Sequence, residues 1–86
     1  MYFIANWKMF GNLRTLKSLD KVVSFVKKLK KSKIKLIYCP PATLICPMVK
    51  KLKLTSINVG GQNCHESYNY GAYTGQINSK MLKDIN

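Results

Sequence analysis

Apolar residues along the chain form short continuous runs separated by stretches with helical spacing. The runs at residues 2–5, 34–39 and 56–60 predict three strands. From about 13–31, and again over 43–53, apolar residues recur every three or four positions, as in amphipathic helices. Strands that alternate with helices predict parallel pairing and right-handed crossovers. The pattern therefore predicts an α/β fold of order β-α-β-α-β.

Capping and breaking residues indicate where the predicted helices begin. Asn12 or Thr15 is expected to cap the first helix, because both types accept hydrogen bonds from free backbone N–H groups. Ser79 is expected to cap a last, short helix at 79–85. Pro47 lies inside the second helical stretch, so it predicts either a kink or a later helix start.

The third predicted strand is followed by a long loop, residues 62–76, rich in Asn, Tyr and Gly. Loops of this length in compact domains are usually functional or disordered. Three parallel apolar strands also leave two open sheet edges, and parallel sheets need both faces covered. The sequence therefore predicts that residues 1–86 are an incomplete domain, the opening part of a larger α/β fold.

Composition is that of an ordinary globular chain. Hydrophobic residues make up 47% of the 86 positions, which argues against intrinsic disorder. No apolar run approaches the roughly 20 residues of a membrane helix, and the N-terminal residues do not resemble a signal peptide. Cys39, Cys46 and Cys64 form no C-x-x-C pair, so we expect buried, reduced thiols and no metal site.

Charge is strongly unbalanced, with 15 Lys and Arg residues against three acids and a formal net charge of +12. This balance favours anionic partners, or it reflects a solvated surface of lysines. General acid–base chemistry usually needs His, Asp or Glu, and His65 is the single histidine of the chain.

Three motifs follow the carboxyl ends of the three predicted strands. They are Asn6-Trp7-Lys8-Met9 after the first, Cys39-Pro40-Pro41-Ala42-Thr43 after the second, and Val59-Gly60-Gly61-Gln62-Asn63 with Gly71-Ala72-Tyr73-Thr74-Gly75 after the third. In order and spacing the chain resembles the N-terminal part of the triosephosphate isomerase family over essentially its whole length. The resemblance implies the first three units of a (β/α)₈ barrel, a TIM barrel.

The resemblance also implies an activity and part of a site. The family interconverts dihydroxyacetone phosphate and D-glyceraldehyde 3-phosphate, in glycolysis and gluconeogenesis, without cofactor or metal. It implies that Lys8 acts electrostatically and that Asn6 and Lys8 bind substrate. Family members carry the electrophilic histidine after strand four and the glutamate base after strand six. His65 and Glu66 match neither position, so we expect residues 1–86 alone to be inactive.

The same resemblance implies a homodimer in the cytoplasm. The loop around Thr74 is expected to insert into the partner subunit, with Gln62 and Asn63 behind it and Tyr73 and Gly75 beside it. Gln76 stands where the family usually has glutamate, which puts one charged inter-subunit contact in doubt.

Three other interpretations stay open from the residues alone. Lys8 could be one more solvated surface lysine, and the whole chain could be a stand-alone basic module that binds anions or nucleic acid. The lysine cluster at 27–35 resembles a basic patch, but it lacks the interleaved aromatic residues of nucleic-acid readers. A solvated helix end is therefore the stronger expectation, and nucleic-acid binding is the weaker one. A different phosphate-handling barrel is the third possibility. We expect no association with a membrane.

Overall fold

The computed structural model describes residues 1–29 and 33–85. Its elements are strand β1 (Tyr2–Asn6), a 3-10 turn (Leu13–Ser18), helix α1 (Leu19–Lys28), strand β2 (Lys35–Cys39), helix α2 (Ala42–Leu52), strand β3 (Asn58–Val59) and helix α3 (Ser79–Asp84). The three strands form one parallel sheet in the order β1-β2-β3. The predicted alternation of parallel strands and helices is confirmed.

The first predicted helix, 13–31, is divided in the structure into the 3-10 turn and α1. Asn12 caps the turn: its side chain accepts from the backbone of Arg14 and Thr15, and the Thr15 hydroxyl accepts from the Asn12 backbone. The Ser18 hydroxyl donates to the Thr15 carbonyl at 2.7 Å. These local bonds favour a tight first turn over a regular α-helix. The predicted helix end at 30–31 lies outside the described residues.

The third predicted strand is too long, whereas the predicted start of the second long helix at 43 is correct to within one residue. Strand β3 has two residues instead of the five predicted, because the Thr55 hydroxyl accepts from the Ile57 backbone at 3.1 Å and donates to the Leu52 carbonyl at 2.8 Å. This turn satisfies the backbone that would otherwise extend the strand. Helix α2 begins at Ala42 and continues through Pro47, so the proline does not delay its start.

One face of the sheet packs against the helices. Strand residues Leu36, Tyr38 and Val59 contact a core made of Leu16, Leu19, Met48, Leu52 and Ile57. Each fully buried Leu or Met side chain contributes about 2 kcal/mol through removal of apolar surface from water. An ion pair between Lys51 and Asp20, 2.6 Å apart, joins α2 to α1 at the surface.

The other face of the sheet, here called the open face, carries Tyr2, Ile4, Asn6, Lys35, Ile37 and Cys39, which alternate with the residues that point to the helices. No described element covers it. Tyr2 is 62% exposed and Ile4 is 64% exposed. Within the described residues, no helix is long and apolar enough to cross a membrane. The motifs lie at the carboxyl ends of the strands.

Candidate functional site

The carboxyl ends of the strands come together at one edge of the sheet. Asn6, the last residue of β1, pairs with Cys39, the last residue of β2. Gly60 follows β3, and its backbone N–H donates to the Tyr38 carbonyl at 2.8 Å. A Cβ on Gly60 would lie 3.1 Å from the Cys39 sulfur, so glycine allows the close approach.

Lys8 has a left-handed backbone, with φ of 58°, which is uncommon for a residue that carries a Cβ. The Asn6 Oδ1 accepts a hydrogen bond from the Lys8 backbone N–H at 2.8 Å. The Gln62 Nε2 donates to the Lys8 carbonyl and to the Cys39 carbonyl, each at 2.9 Å. We call Asn6, Lys8, Cys39 and Gln62 the strand-end cluster.

Trp7 packs behind the strand-end cluster. Its backbone N–H donates to the Cys39 carbonyl at 3.0 Å, and its indole meets the Tyr38 ring edge-on with centroids 6.1 Å apart. A Cβ on Gly11 would lie 3.1 Å from the indole, so this glycine leaves room for the ring. Burial raises the pKa of the Tyr38 phenol above 10.0. Trp7 therefore packs against the core behind the strand-end cluster.

The long loop after β3 closes at its neck. The His65 backbone N–H donates to the Ile77 carbonyl at 2.7 Å, and the His65 ring Nδ1 accepts from the Ser67 N–H at 3.0 Å. Asn78, only 5% exposed, donates to the Tyr68 carbonyl at 3.0 Å. Its Oδ1 also accepts from the Met81 N–H at 2.9 Å and so caps α3. The cap predicted at Ser79 is therefore one residue too late.

The tip of this loop, residues 71–76, is exposed. The Tyr73 ring lies on the His65 ring, with centroids 4.3 Å apart. A Cβ on Gly71 would come within 2.7 Å of the Tyr73 ring, so a side chain there would displace the ring. Gly75 has a φ of 77°, which lets the chain turn sharply after Thr74. Thr74 is exposed at this turn.

The structure brings some of the predicted site residues together and separates others. Asn6, Lys8 and Gln62 share the strand-end cluster, whereas Tyr73, Thr74 and Gly75 lie on the loop tip. Asn63 is exposed at the start of the loop.

The resemblance assigned Gln62 to the contact with the partner subunit, and the sequence did not reveal its bonds to the Lys8 and Cys39 carbonyls. It also missed Asn78. An Asn-Ser pair before a helix signals a cap, but it does not say which residue provides it.

Lys8 supplies the one cationic side chain of the strand-end cluster. Lys8 is exposed at this edge of the sheet. Hydrogen bonds hold both its backbone N–H and its backbone carbonyl. In residues 1–29 and 33–85, no three His, Cys, Asp or Glu side chains form a group that could hold a metal ion. The expectation of buried cysteines was wrong: Cys46 and Cys64 are exposed and Cys39 is half-buried, all three as free thiols.

The family model described as triosephosphate isomerase matches residues 1–86. The chain belongs to the triosephosphate isomerase family. A triosephosphate isomerase of Xanthobacter autotrophicus is 39% identical over 80 residues, which are 93% of this chain and 31% of that protein. One from Buchnera aphidicola is 39% identical over 84 residues, 95% of this chain and 33% of that protein. The match to the family removes the third possibility, a different phosphate-handling barrel.

A solved structure agrees with the sequence matches. The crystal structure of the triosephosphate isomerase of Bartonella henselae superimposes with a TM-score of 0.85 at 34% identity, over 98% of this chain and 33% of that one. The three parallel strands with their helices are therefore the N-terminal part of a TIM barrel. The chain spans about a third of the length of the triosephosphate isomerases that it matches.

Proposed function

We propose that residues 1–86 are an incomplete TIM-barrel domain that supplies part of the active site of a triosephosphate isomerase. The complete protein interconverts dihydroxyacetone phosphate and D-glyceraldehyde 3-phosphate. The observation that carries the proposal is the position of Lys8, next to Asn6 at the carboxyl ends of parallel strands. Barrel enzymes bind their ligands at this edge. The family match over the whole chain supports the choice of substrate.

The proposed reaction explains why a lysine is needed there. Isomerisation moves a proton between neighbouring carbons through an enediolate, and the substrate also carries a phosphate dianion. The Lys8 ammonium stabilises both negative charges, and stabilisation of the enediolate lowers the barrier. The Asn6 Oδ1 is occupied by the Lys8 N–H, so its Nδ2 is the group that donates to a substrate oxygen. The base and the electrophilic histidine come from residues outside 1–86.

The proposal includes a cytoplasmic homodimer. Gln62, Asn63, Tyr73, Thr74 and Gly75 form the part of its interface that this chain supplies. Support comes from the exposed loop tip, which is held at its neck by Asn78 and presents Tyr73 and Thr74 outward. Cytoplasmic location fits the three free thiols. We propose no cofactor or metal.

Substitution of Lys8 tests the proposal. The complete protein encoded by the reading frame that contains residues 1–86 is purified and assayed for isomerase activity, and its mass in solution is measured by sedimentation. Lys8→Met keeps the length of the side chain and removes the ammonium. We expect kcat/KM to fall by about 100-fold or more, because a preorganised charge at the reacting group is lost.

Lys17→Met is the matched control, since Lys17 is an exposed lysine on the 3-10 turn and lies outside the strand-end cluster. Its kcat/KM should stay within about twofold of the parent, as expected for an exposed surface substitution. An active complete protein in which Lys8→Met and Lys17→Met behave alike would contradict the role of Lys8. A complete protein without isomerase activity would contradict the proposed function itself.

A further inference from the structure

His65 connects distant parts of the long loop through three different contacts. Its backbone N–H donates to the Ile77 carbonyl at 2.7 Å, which closes the neck. Its ring lies against the Tyr73 ring at the tip, with centroids 4.3 Å apart and the planes tilted by 34°. Its Nδ1 accepts from the Ser67 N–H at 3.0 Å. One half-buried residue therefore joins the neck, the segment that follows it and the tip.

The bond from Ser67 requires an imidazole that carries no proton on Nδ1. Only the neutral ring offers an acceptor nitrogen, so the bond assigns its proton to Nε2. A protonated imidazole carries a hydrogen on both nitrogens, and a ring flip therefore cannot restore the acceptor. The Ser67 N–H would then face a second donor and must separate from the ring. The Tyr73 contact is not lost in this way, because a cation is attracted to an aromatic face.

The charges around His65 do not compensate for the loss of this bond. Among the described residues, no carboxylate forms an ion pair with His65, although Glu66 follows it in the chain and is exposed. The cavity beside the ring is lined, from the loop tip and from α3, by side chains that are uncharged near neutral pH: Tyr70, Tyr73, Gln76, Asn78 and Met81. The cation of α3, Lys80, lies 4.6 Å from the centre of the Tyr70 ring and repels a second positive charge.

We propose that His65 is a positioning residue that makes the conformation of this loop depend on pH: its neutral ring holds the segment 66–69, and protonation releases that segment. The bond from Ser67 forms only with the neutral ring. The held loop is therefore favoured at the upper end of the range in which an imidazole gains its proton, about pH 8 to 5, and is lost as pH falls through it. The release follows from the contacts of His65 alone, whereas its consequence for the homodimer rests on the proposed function.

Hydrogen exchange of single amides in the complete protein measures the release. The protection factor compares each amide with an unfolded chain at the same pH, so the intrinsic effect of pH on exchange cancels. For the Ser67 N–H we expect this factor to fall by about tenfold from about pH 8 to about pH 5, because one hydrogen bond is lost. The Gln76 N–H donates to the Tyr73 carbonyl at 3.1 Å in the same loop, and its factor should change by less than about twofold.

His65→Asn is the matched variant, because its Oδ1 replaces Nδ1 as an acceptor and a carboxamide does not titrate in this range. The Ser67 protection factor should then stay within about twofold between the two pH values. An unchanged factor in the parent, or equal falls in the parent and in His65→Asn, would overturn the proposal. Nitrogen NMR of the unmodified protein gives a second test that does not depend on the variant. At about pH 8 the Nδ1 of His65 should carry no proton, and a proton there would also overturn the proposal.

Sedimentation tests the consequence for the homodimer. The Kd of the complete protein should rise by about tenfold from about pH 8 to about pH 5, because a loop that is released must be ordered again before it docks. In His65→Asn the rise should be less than about threefold. Equal rises would contradict a role of His65 in dimerisation. If the complete protein is a monomer at both pH values, the proposed homodimer fails, while the Ser67 protection factor still decides whether His65 holds the loop.

Discussion

The Tyr38 side chain helps to fix the position of the residues that pack behind the carboxyl ends of the strands. Its ring faces the helices, where it joins the core and meets the Trp7 indole edge-on. An edge-to-face aromatic pair adds about 1 kcal/mol to the apolar burial of the two rings. Trp7 in turn begins the turn that carries Lys8. Tyr38 therefore supports the strand-end cluster without contacting it.

The burial of Tyr38 predicts a pH dependence of stability. Its pKa is raised in the folded chain, so as pH rises past 10.0 the unfolded chain loses the phenol proton first. Ionisation then favours unfolding: the stabilisation is complete below pH 10.0 and is lost as pH rises through the higher pKa of the folded state. We expect Tyr38→Phe, which keeps the ring, to lose less stability above pH 10.0 than the parent.

Urea unfolding at a series of pH values from neutral to alkaline measures the difference. Tyr2→Phe is the control, because Tyr2 is an exposed phenol on the open face. Its stability should follow the parent over the whole pH range. Parallel curves for Tyr38→Phe and the parent would show that the Tyr38 phenol is not linked to folding.

Among the elements, the loop between β3 and α3 depends most on one residue. Asn78 is buried and uses both ends of its amide, donating to the Tyr68 carbonyl and accepting from the Met81 N–H. The first contact fixes the loop and the second begins α3. A helix of six residues has little stability of its own, so its start depends on this cap.

Replacement of Asn78 should therefore destabilise the loop and the helix together. We expect Asn78→Ala to cost about 2 kcal/mol, from the lost cap and the lost hydrogen bond to the Tyr68 carbonyl. Asn78→Ser should cost less, because serine caps a helix but cannot reach the loop. Ser79→Ala is the control, with an expected cost within about 0.5 kcal/mol. Urea titrations measure these free energies of unfolding. Equal costs for Ser79→Ala and Asn78→Ala would contradict the assignment of the helix cap to Asn78.

The elements also show what sequence patterns can and cannot predict. Hydrophobic spacing located all three strands and both long helices, because burial of one face determines that spacing. It could not predict the 3-10 turn or the two-residue β3, because polar hydroxyls of Thr15, Ser18 and Thr55 shape those segments through local hydrogen bonds. In the candidate site, motif order pointed to Asn6 and Lys8, and the structure places them in contact. The bond from Gln62 to Lys8 spans 54 residues and has no local signal.

The whole molecule is a flat, two-layer piece measuring 45 × 28 × 19 Å. The helices cover one face of the sheet, and no described element covers the open face. In the described residues, β1 pairs only with β2, so its other edge carries no strand. Apolar side chains on an unpaired strand favour association with other chains. The net charge of +12 opposes association by repulsion, so ionic strength should modulate it.

Residues 1–86 expressed alone should therefore differ from the complete protein. We expect no isomerase activity above buffer, and self-association that increases with salt as repulsion between lysines is screened. Ile4→Thr, on the open face, should reduce the association measured by sedimentation, whereas Leu54→Thr, at a residue 93% exposed away from the sheet, should not. The basic-module alternative predicts instead a cooperatively folded monomer that binds duplex DNA near physiological salt, with affinity falling steeply as salt rises. Added salt distinguishes the two hypotheses: it promotes self-association of an incomplete domain, and it weakens DNA binding by a basic module.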